Sequence, residues 1–498
     1  MPSVISWPDL RWCCFSIGKL LMVLAVIMLV PLLIDGVMPY LSGDQVHEQN
    51  WRAFGAAALA TAAIGGTMFL AFRTSQQRRF GLREGFLLTV LTWVIFCAFS
   101  ALPLTLIDAR LSYTDAFFEA MSGLTTTGAT IMVGLDHESN GVLLWRSLLH
   151  WIGGVGIIVI SVMILPELRV GGMQLFRAES SDKSDKIRPR AAEVTMEILS
   201  VYSLLTLLCA ILLAFAGMPL FDAVCHAMGM LATGGFSTKD SSIAYFHNPA
   251  IEWVSIVFMF LGGTTFTLMA QAMWHRKFRP LLRDSQTHWY CLYLLGFTSV
   301  IALWQIVANG RDILGALRSS AFAVVSIGST SGYVAEDYSS WGTLPVAAVL
   351  ILFLLGGCTG STAGAIKVFR LCVLGAFAKW QLRSLVHPHR VLLPTYNGRR
   401  LTDEIMRSVI GFVAFYLLAF AVLGIAVSAF NVDLITAFTS VAQALGNIGH
   451  GLGPIIGPSG NFSTLPDGAK WLLACAMLLG RLELLTVLVL FSPTFWRG

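Results

Sequence analysis

Four short strings of threonine, serine, asparagine and glycine interrupt an otherwise oily chain: Thr125-Thr126-Thr127-Gly128-Ala129, Thr233-Gly234-Gly235-Phe236, Thr330-Ser331-Gly332-Tyr333 and Asn447-Ile448-Gly449-His450. Glycines 128, 235, 332 and 449 are separated by 107, 97 and 117 residues, which marks an internal repeat. Glycine supplies backbone angles that other residues resist. A cation that sheds its water needs several inward carbonyl oxygens in its place, and such strings can present them. One string alone would indicate no more than close helix packing. Four in corresponding places argue for a single shared ion path.

The elements that must hold these strings are read from hydropathy. Hydrophobic residues make up 56% of 498 and charged ones 12%, with a mean hydropathy of +0.73, so the expected fold is an all-α polytopic membrane protein. Stretches long enough to cross a bilayer run roughly over 15–37, 51–72, 84–107, 143–166, 194–216, 250–274, 287–308, 344–373, 404–429 and 469–491, about ten transmembrane helices. Leu20 to Ile34 runs into Asp35-Gly36-Val37-Met38-Pro39 without a small-residue cleavage site, so the first stretch reads as a retained span. Ahead of each polar string lies an apolar run of about a dozen residues, too short to span and too apolar for a loop, which is the signature of a re-entrant pore helix. In the first two units these runs open at Asp115 and Asp222, where an acid suits a helix N-terminus. In the last two they contain Ala321 to Val325 and Phe438 to Ala442, with Asp312 and Asp433 at other offsets. The organisation is then an N-terminal two-helix extension, 1–80, and four pseudo-symmetric span-pore-span repeats, 81–190, 191–284, 285–400 and 401–498. Non-helical backbone at membrane depth has to be buried in protein or line a watery cavity, so the four re-entrant helices should surround one pore.

Lys and Arg concentrate in alternate connectors: Arg73, Arg78, Arg79 and Arg83; Arg169, Arg177, Lys183, Lys186, Arg188 and Arg190; Arg276, Lys277, Arg279 and Arg283; Lys379, Arg383, Arg390, Arg399, Arg400 and Arg407. The intervening connectors hold Asp44, Glu48, Asp136, Glu138, Asp240, Glu336, Asp337 and Asp467. By the positive-inside rule both termini are cytoplasmic and the four strings open outward. The net charge of +5 then belongs to cytoplasmic loops, with no basic stripe for nucleic acid. The nine cysteines form neither a disulfide framework nor a zinc spacing and read as packing residues. His150 has no second metal ligand at helical spacing and reads as a core histidine. Gly446 to Gly453 lacks the preceding strand of a dinucleotide loop, and there is no P-loop, metalloprotease string or nucleophile-base arrangement, so no enzyme is expected.

Two polar features remain inside the spans. Arg481 stands about twelve residues into the last stretch, and an arginine at membrane depth needs a partner or a polar cavity. Glu483 is two positions away, on roughly the opposite side of a helix, so each needs its own partner. Arg481 could pair with a pore-helix acid such as Glu119, or sit just below the polar strings and raise the barrier to cations. The run Gly356-Gly357-Cys358-Thr359-Gly360-Ser361-Thr362-Ala363-Gly364, closed by Lys367, interrupts the eighth stretch and should break it, as a movable gate or a flexible kink.

With these residues in view, the chain resembles the membrane subunits of Trk-type bacterial potassium-uptake systems, in the Trk/Ktr/HKT superfamily. The carriers are the four strings together with Leu149-His150-Trp151-Ile152-Gly153-Gly154-Val155-Gly156, Leu165-Pro166-Glu167-Leu168-Arg169-Val170-Gly171-Gly172-Met173-Gln174-Leu175-Phe176, Gly360-Ser361-Thr362-Ala363-Gly364 and Gly480-Arg481-Leu482-Glu483-Leu484-Leu485-Thr486. The resemblance implies four repeats around one potassium filter, a homodimer in the lipid of the bacterial inner membrane, a separate cytosolic nucleotide-binding regulatory subunit, and no cofactor, potassium being the transported ion. The filter ligands it implies are the carbonyls of Thr126, Thr127 and Gly128; Thr233, Gly234 and Gly235; Thr330, Ser331 and Gly332; and Asn447, Ile448 and Gly449. Glycine in all four filter positions resembles potassium-selective members, whereas serine in the first repeat goes with sodium transport in plant relatives. The likeness also implies that Arg481 limits flux and that Gly356, Gly357, Gly360, Ser361, Thr362, Gly364 and Lys367 belong to an intramembrane gating loop. Asn447-Ile448 departs from the other units, and His450 stands where a proline is expected, at the outer mouth. The alternative is a secondary symporter coupling potassium to sodium or protons, but such folds place ionisable residues at the midplane and here they are few.

Overall fold

The computed structural model describes residues 10–42, 50–73, 81–107, 111–163, 187–389, 393–397 and 399–497. Among these, seven helices are long and apolar enough to cross a bilayer: Leu10–Val37, Asn50–Ala71, Arg83–Ile107, Asn140–Ile160, Glu193–Phe215, Ser285–Val307 and Asp403–Ser428. The other three expected spans are not continuous. The sixth is Pro249–Gly262 and Phe266–Trp274, bent by 101°, and the tenth is Asp467–Arg481 and Leu484–Phe491, bent by 112°. The eighth is Thr343–Leu352, an irregular stretch, and then Val368–Val386. Each break falls where the helical ladder is replaced by other partners: Cys358 N–H donates to Gly263 O at 2.8 Å, so the sixth and eighth breaks satisfy each other. The tenth turns at Glu483, which takes φ +61. The Leu165–Phe176 string and the cations Arg78, Arg79, Arg169, Arg177, Lys183, Lys186 and Arg390 lie outside the described residues.

Burial separates inner from outer helices. Asn140–Ile160 is buried over 61% of its apolar window and Asp403–Ser428 over 22%, so the first lies near the middle of the bundle and the second presents leucines and isoleucines to lipid. The first two spans cross closely. A methyl on Gly18 would fall 2.9 Å from Gly65 O, the small-residue contact that lets membrane helices approach. Asp35 joins this pair to the first repeat, accepting from Gly141 N–H at 2.6 Å and Ser139 Oγ at 3.0 Å, at the start of the span that begins at Asn140.

Four short helices carry the polar strings: Tyr113–Leu124, Leu220–Ala232, Ile313–Gly328 and Leu434–Gly446. Their starts explain the uneven offsets of the acids. Ser112, Pro219, Asp312 and Asp433 are the residues at the N-cap. Asp312 and Asp433 accept the N–H three residues on, from Gly315 and Thr436, as Ser112 accepts from Asp115. Asp115 and Asp222 therefore stand inside the first turn, while Asp312 and Asp433 are caps. Counted from the cap, the glycine of the polar string follows after 16 residues in units one, two and four (112 to 128, 219 to 235, 433 to 449) and after 20 in unit three (312 to 332), whose short helix is a turn longer.

Candidate functional site

Every pore helix ends in the same way. Thr126, Thr233, Thr330 and Asn447 adopt left-handed backbone at φ +51, +53, +59 and +52, each two residues before its glycine. Each donates its N–H three residues back, to Gly123, Met230, Ile327 and Ala444. The following residue donates five back: Thr127 to Ser122, Gly234 to Gly229, Ser331 to Ser326 and Ile448 to Gln443, at 2.8–3.0 Å. These are four Schellman turns. Three place a β-branched threonine where L-residues resist, at about 1–3 kcal/mol apiece, and such strain is held only by a surrounding that over-determines it. The fourth uses asparagine, which tolerates the left-handed region, and this is the physical sense of the departure at Asn447. Its Nδ2 donates to Thr127 Oγ1 at 2.9 Å and Met477 O at 3.0 Å, so the fourth loop is tied to the first.

The four loops close into a ring. A methyl on Gly128 would fall 2.0 Å from Gly234 O, one on Gly235 2.4 Å from Ser331 O, one on Gly332 1.7 Å from Ile448 O, and one on Gly449 2.9 Å from Thr127 O. Each glycine thus abuts the next loop in order, and the fourth returns to the first. Thr126, Thr127, Thr233, Thr330, Ser331, Asn447 and Ile448 are fully buried. Among the described residues, no backbone N–H donates to the carbonyl oxygens of 126–128, 233–235, 330–332 or 447–449. Buried carbonyls are ordinarily paired, so a cluster of unpaired ones requires a partner that is not the protein.

Side chains behind the ring fix it. His150 is fully buried and uses both nitrogens: Nε2 accepts the Phe236 N–H at 3.0 Å, so Nδ1 carries the proton and donates to Gly123 O at 2.7 Å. It is a structural bridge between the first pore helix and the second loop. Gly234 is required beneath it, because a methyl there would lie 2.4 Å from the imidazole Cδ2. His450, directly after Gly449 of the fourth loop, packs on Tyr338 with ring centroids 6.3 Å apart.

Glu119 does not pair with Arg481. Its partner is Arg146, at 2.8 Å, with both side chains 1% exposed. Arg481, 3% exposed, instead donates through Nη1 to Thr362 O at 2.6 Å and through Nη2 to Gly153 O at 3.4 Å. Glu483 pairs with Arg370 of the Val368–Val386 helix, whose guanidinium lies 3.6 Å over Phe412. The separate partners expected for Arg481 and Glu483 are therefore present, but the helix they were placed on ends at Arg481. Arg146 and Arg370 were passed over in the sequence, although Arg146 stands in the apolar run Leu143-Leu144-Trp145-Arg146, where a charge is by default a site.

The 356–364 loop is not a loose kink. Thr362 Oγ1 donates to Leu231 O at 2.9 Å and Gly262 O at 3.0 Å, Gly364 N–H donates to Thr330 Oγ1 at 2.8 Å, and Thr265 Oγ1 donates to Thr359 O at 2.9 Å. Gly360 takes φ +80 and its carbonyl accepts the Phe266 N–H at 3.0 Å. Gly356 and Gly357 are also in close quarters: methyls there would lie 2.1 Å from Gly364 O and 2.6 Å from Gly263 O. Ser361 is fully buried, and Lys367 closes the loop by donating to Ala363 O at 2.7 Å. These contacts put the loop against the end of the second pore helix and the side chain of Thr330, and a methyl on Gly364 would fall 2.3 Å from Gly446 O at the end of the fourth. Ala363, Gly364, Lys367, Gly480, Arg481 and Glu483 share one cavity.

The fold and this site define a polytopic helical membrane protein in which four polar loops close into one ring. The sequence profile of the TrkH family, described as a cation transport protein, matches residues 47–497. The chain belongs to that family. It is 42% identical to the Trk system potassium uptake protein TrkI of Halomonas elongata, over 97% of this chain and 96% of that one. It is 39% identical to the Trk system potassium uptake protein TrkH of Salmonella typhimurium, over 95% and 98%. The crystal structure of the potassium transporter TrkH from Vibrio parahaemolyticus superposes with a TM-score of 0.89 at 33% identity, covering 98% of this chain and all of that one.

Proposed function

We propose that this chain carries potassium inward across a bacterial cytoplasmic membrane, through the ring formed by residues 126–128, 233–235, 330–332 and 447–449. The observation that carries the reading is the closed ring of loops whose carbonyls accept no backbone N–H among the described residues. Twelve such oxygens can replace the water of a monovalent cation. The C-terminal, negative ends of four pore helices adjoin them, which favours a cation there. The relatives named above are potassium uptake proteins, which supports potassium as the cargo.

In this reading the 356–364 loop and Arg481 control flux from the inner side of the ring: Arg481 supplies a fixed positive charge and holds the loop by Thr362 O. Both termini and the basic connectors face the cytoplasm, where a nucleotide-binding regulatory subunit acts on a homodimer. Reconstitution in liposomes tests the proposal. Potassium should flow down its own gradient with sodium and protons equilibrated. Flux that needs a sodium or proton gradient would favour symport, and no potassium flux in either case would contradict the reading.

A further inference from the structure

The buried ion pair beside the ring does not point into the ion path. Glu119, in the first pore helix, and Arg146, in the span that follows, meet at 2.8 Å and bind beyond each other. Glu119 Oε2 accepts the Ile131 N–H at 2.9 Å and Oε1 accepts the Thr130 hydroxyl at 2.9 Å, so the carboxylate grips the chain just past Gly128. Arg146 donates through Nη2 to Thr130 Oγ1 at 3.1 Å and through Nη1 to Ser237 O at 2.9 Å, just past Gly235, with its guanidinium 4.1 Å over the Phe236 ring. One charge pair therefore spans the outward exits of two neighbouring filter loops. It lies at a tight junction of the ring, where a methyl on Gly128 would fall 2.0 Å from Gly234 O.

Neutral groups tie two other junctions: the Tyr333 hydroxyl donates to Phe236 O at 3.0 Å between the second and third loops, and Phe462 N–H donates to Thr130 O at 2.9 Å beside the first. A buried charge pair is a stiffer tie than these, because no water can replace a missing partner. Discrimination between cations by carbonyl oxygens depends on how those oxygens are held.

We propose that Arg146 and Glu119 are positioning residues for ion discrimination: the pair fixes the carbonyls of the first loop against those of the second, and loosening it lets the ring accept the smaller sodium ion. This rests on the potassium-filter reading above. The test is the potassium-to-sodium permeability ratio, taken from reversal potentials of reconstituted wild-type, Glu119→Gln and Thr130→Val proteins, with folding followed by size-exclusion chromatography. The ratio does not depend on how many molecules fold, so a role confined to stability would leave it unmoved. Glu119→Gln should lower it about fivefold or more, and Thr130→Val, which keeps the pair and its bond to the Ile131 N–H but removes the Thr130 hydroxyl that both charges share, about twofold. A folded Glu119→Gln protein with the wild-type ratio overturns the proposal. If that variant does not fold, Thr130→Val decides: a lowered ratio supports the proposal and a wild-type ratio overturns it. A wild-type protein without preference for potassium would instead overturn the filter reading, and this inference with it.

Discussion

A single added methyl separates the ring glycines from a lipid-facing one such as Gly296. On Gly332 it would lie 1.7 Å from Ile448 O, at φ +70, whereas on Gly296 it would meet nothing within 4 Å. Gly332→Ala is expected to cut rubidium uptake in liposomes at least about a hundredfold, because the carbonyl it displaces is one of the ring's own. Gly296→Ala should transport as wild type, and equal losses in both would contradict a special role for the ring. Arg481 is the other residue whose substitution has a sign. Without its guanidinium the cavity loses a fixed positive charge and Thr362 O loses its donor, so Arg481→Ala should carry ions faster, and folded protein that transports no faster removes the barrier role. The glycines and Arg481 were visible in the sequence because their types are unusual in an apolar setting. The left-handed threonines were not, since Thr126, Thr233 and Thr330 are among the residues least suited to φ > 0.

Among the elements, the 356–364 segment is the part whose stability is set from outside itself. Its bonds reach Leu231, Gly262, Gly263, Thr265 and Thr330 over sequence separations from 34 to 131 residues, so hydropathy shows a span there while hydrogen bonding makes a break. The same reason explains why the sixth and tenth spans read as continuous: apolar content is a local property, and the 101° and 112° bends depend on distant partners. Deleting residues 360–363 should raise potassium leak in the absence of any regulatory subunit, measured as efflux from loaded liposomes; a tight, low-flux variant would refute a gating role. Pore-helix length shows the opposite case. The runs themselves were legible from composition, but the extra turn of the third needed its N-cap, because Asp312 and Asp115 look alike in sequence and occupy different helix positions. Asp433→Ala should lower stability by about 1 kcal/mol through loss of the bond to Thr436 N–H, seen as a lower unfolding midpoint with little change in ion selectivity.

Across the whole molecule, four short helices with similar ends but unequal surroundings bring their loops into one ring. Their backbones agree at the Schellman turns, while the side chains behind them differ: His150 beneath the second loop, Arg146 and Glu119 between first and second, Asn447 between fourth and first. Such a ring can keep near-fourfold carbonyl geometry and still be tuned one junction at a time, which a symmetric tetramer cannot do. The two-helix extension is tied to the first repeat through Asp35 at the start of the Asn140 helix. The central claim is that the unpaired carbonyls surround a potassium ion. It is tested most directly by crystallising the protein with potassium replaced by rubidium and recording anomalous scattering. A peak on the axis, ringed by oxygens of residues 126–128, 233–235, 330–332 and 447–449, is the predicted result; a ring without anomalous density, with rubidium bound elsewhere or nowhere, would contradict it.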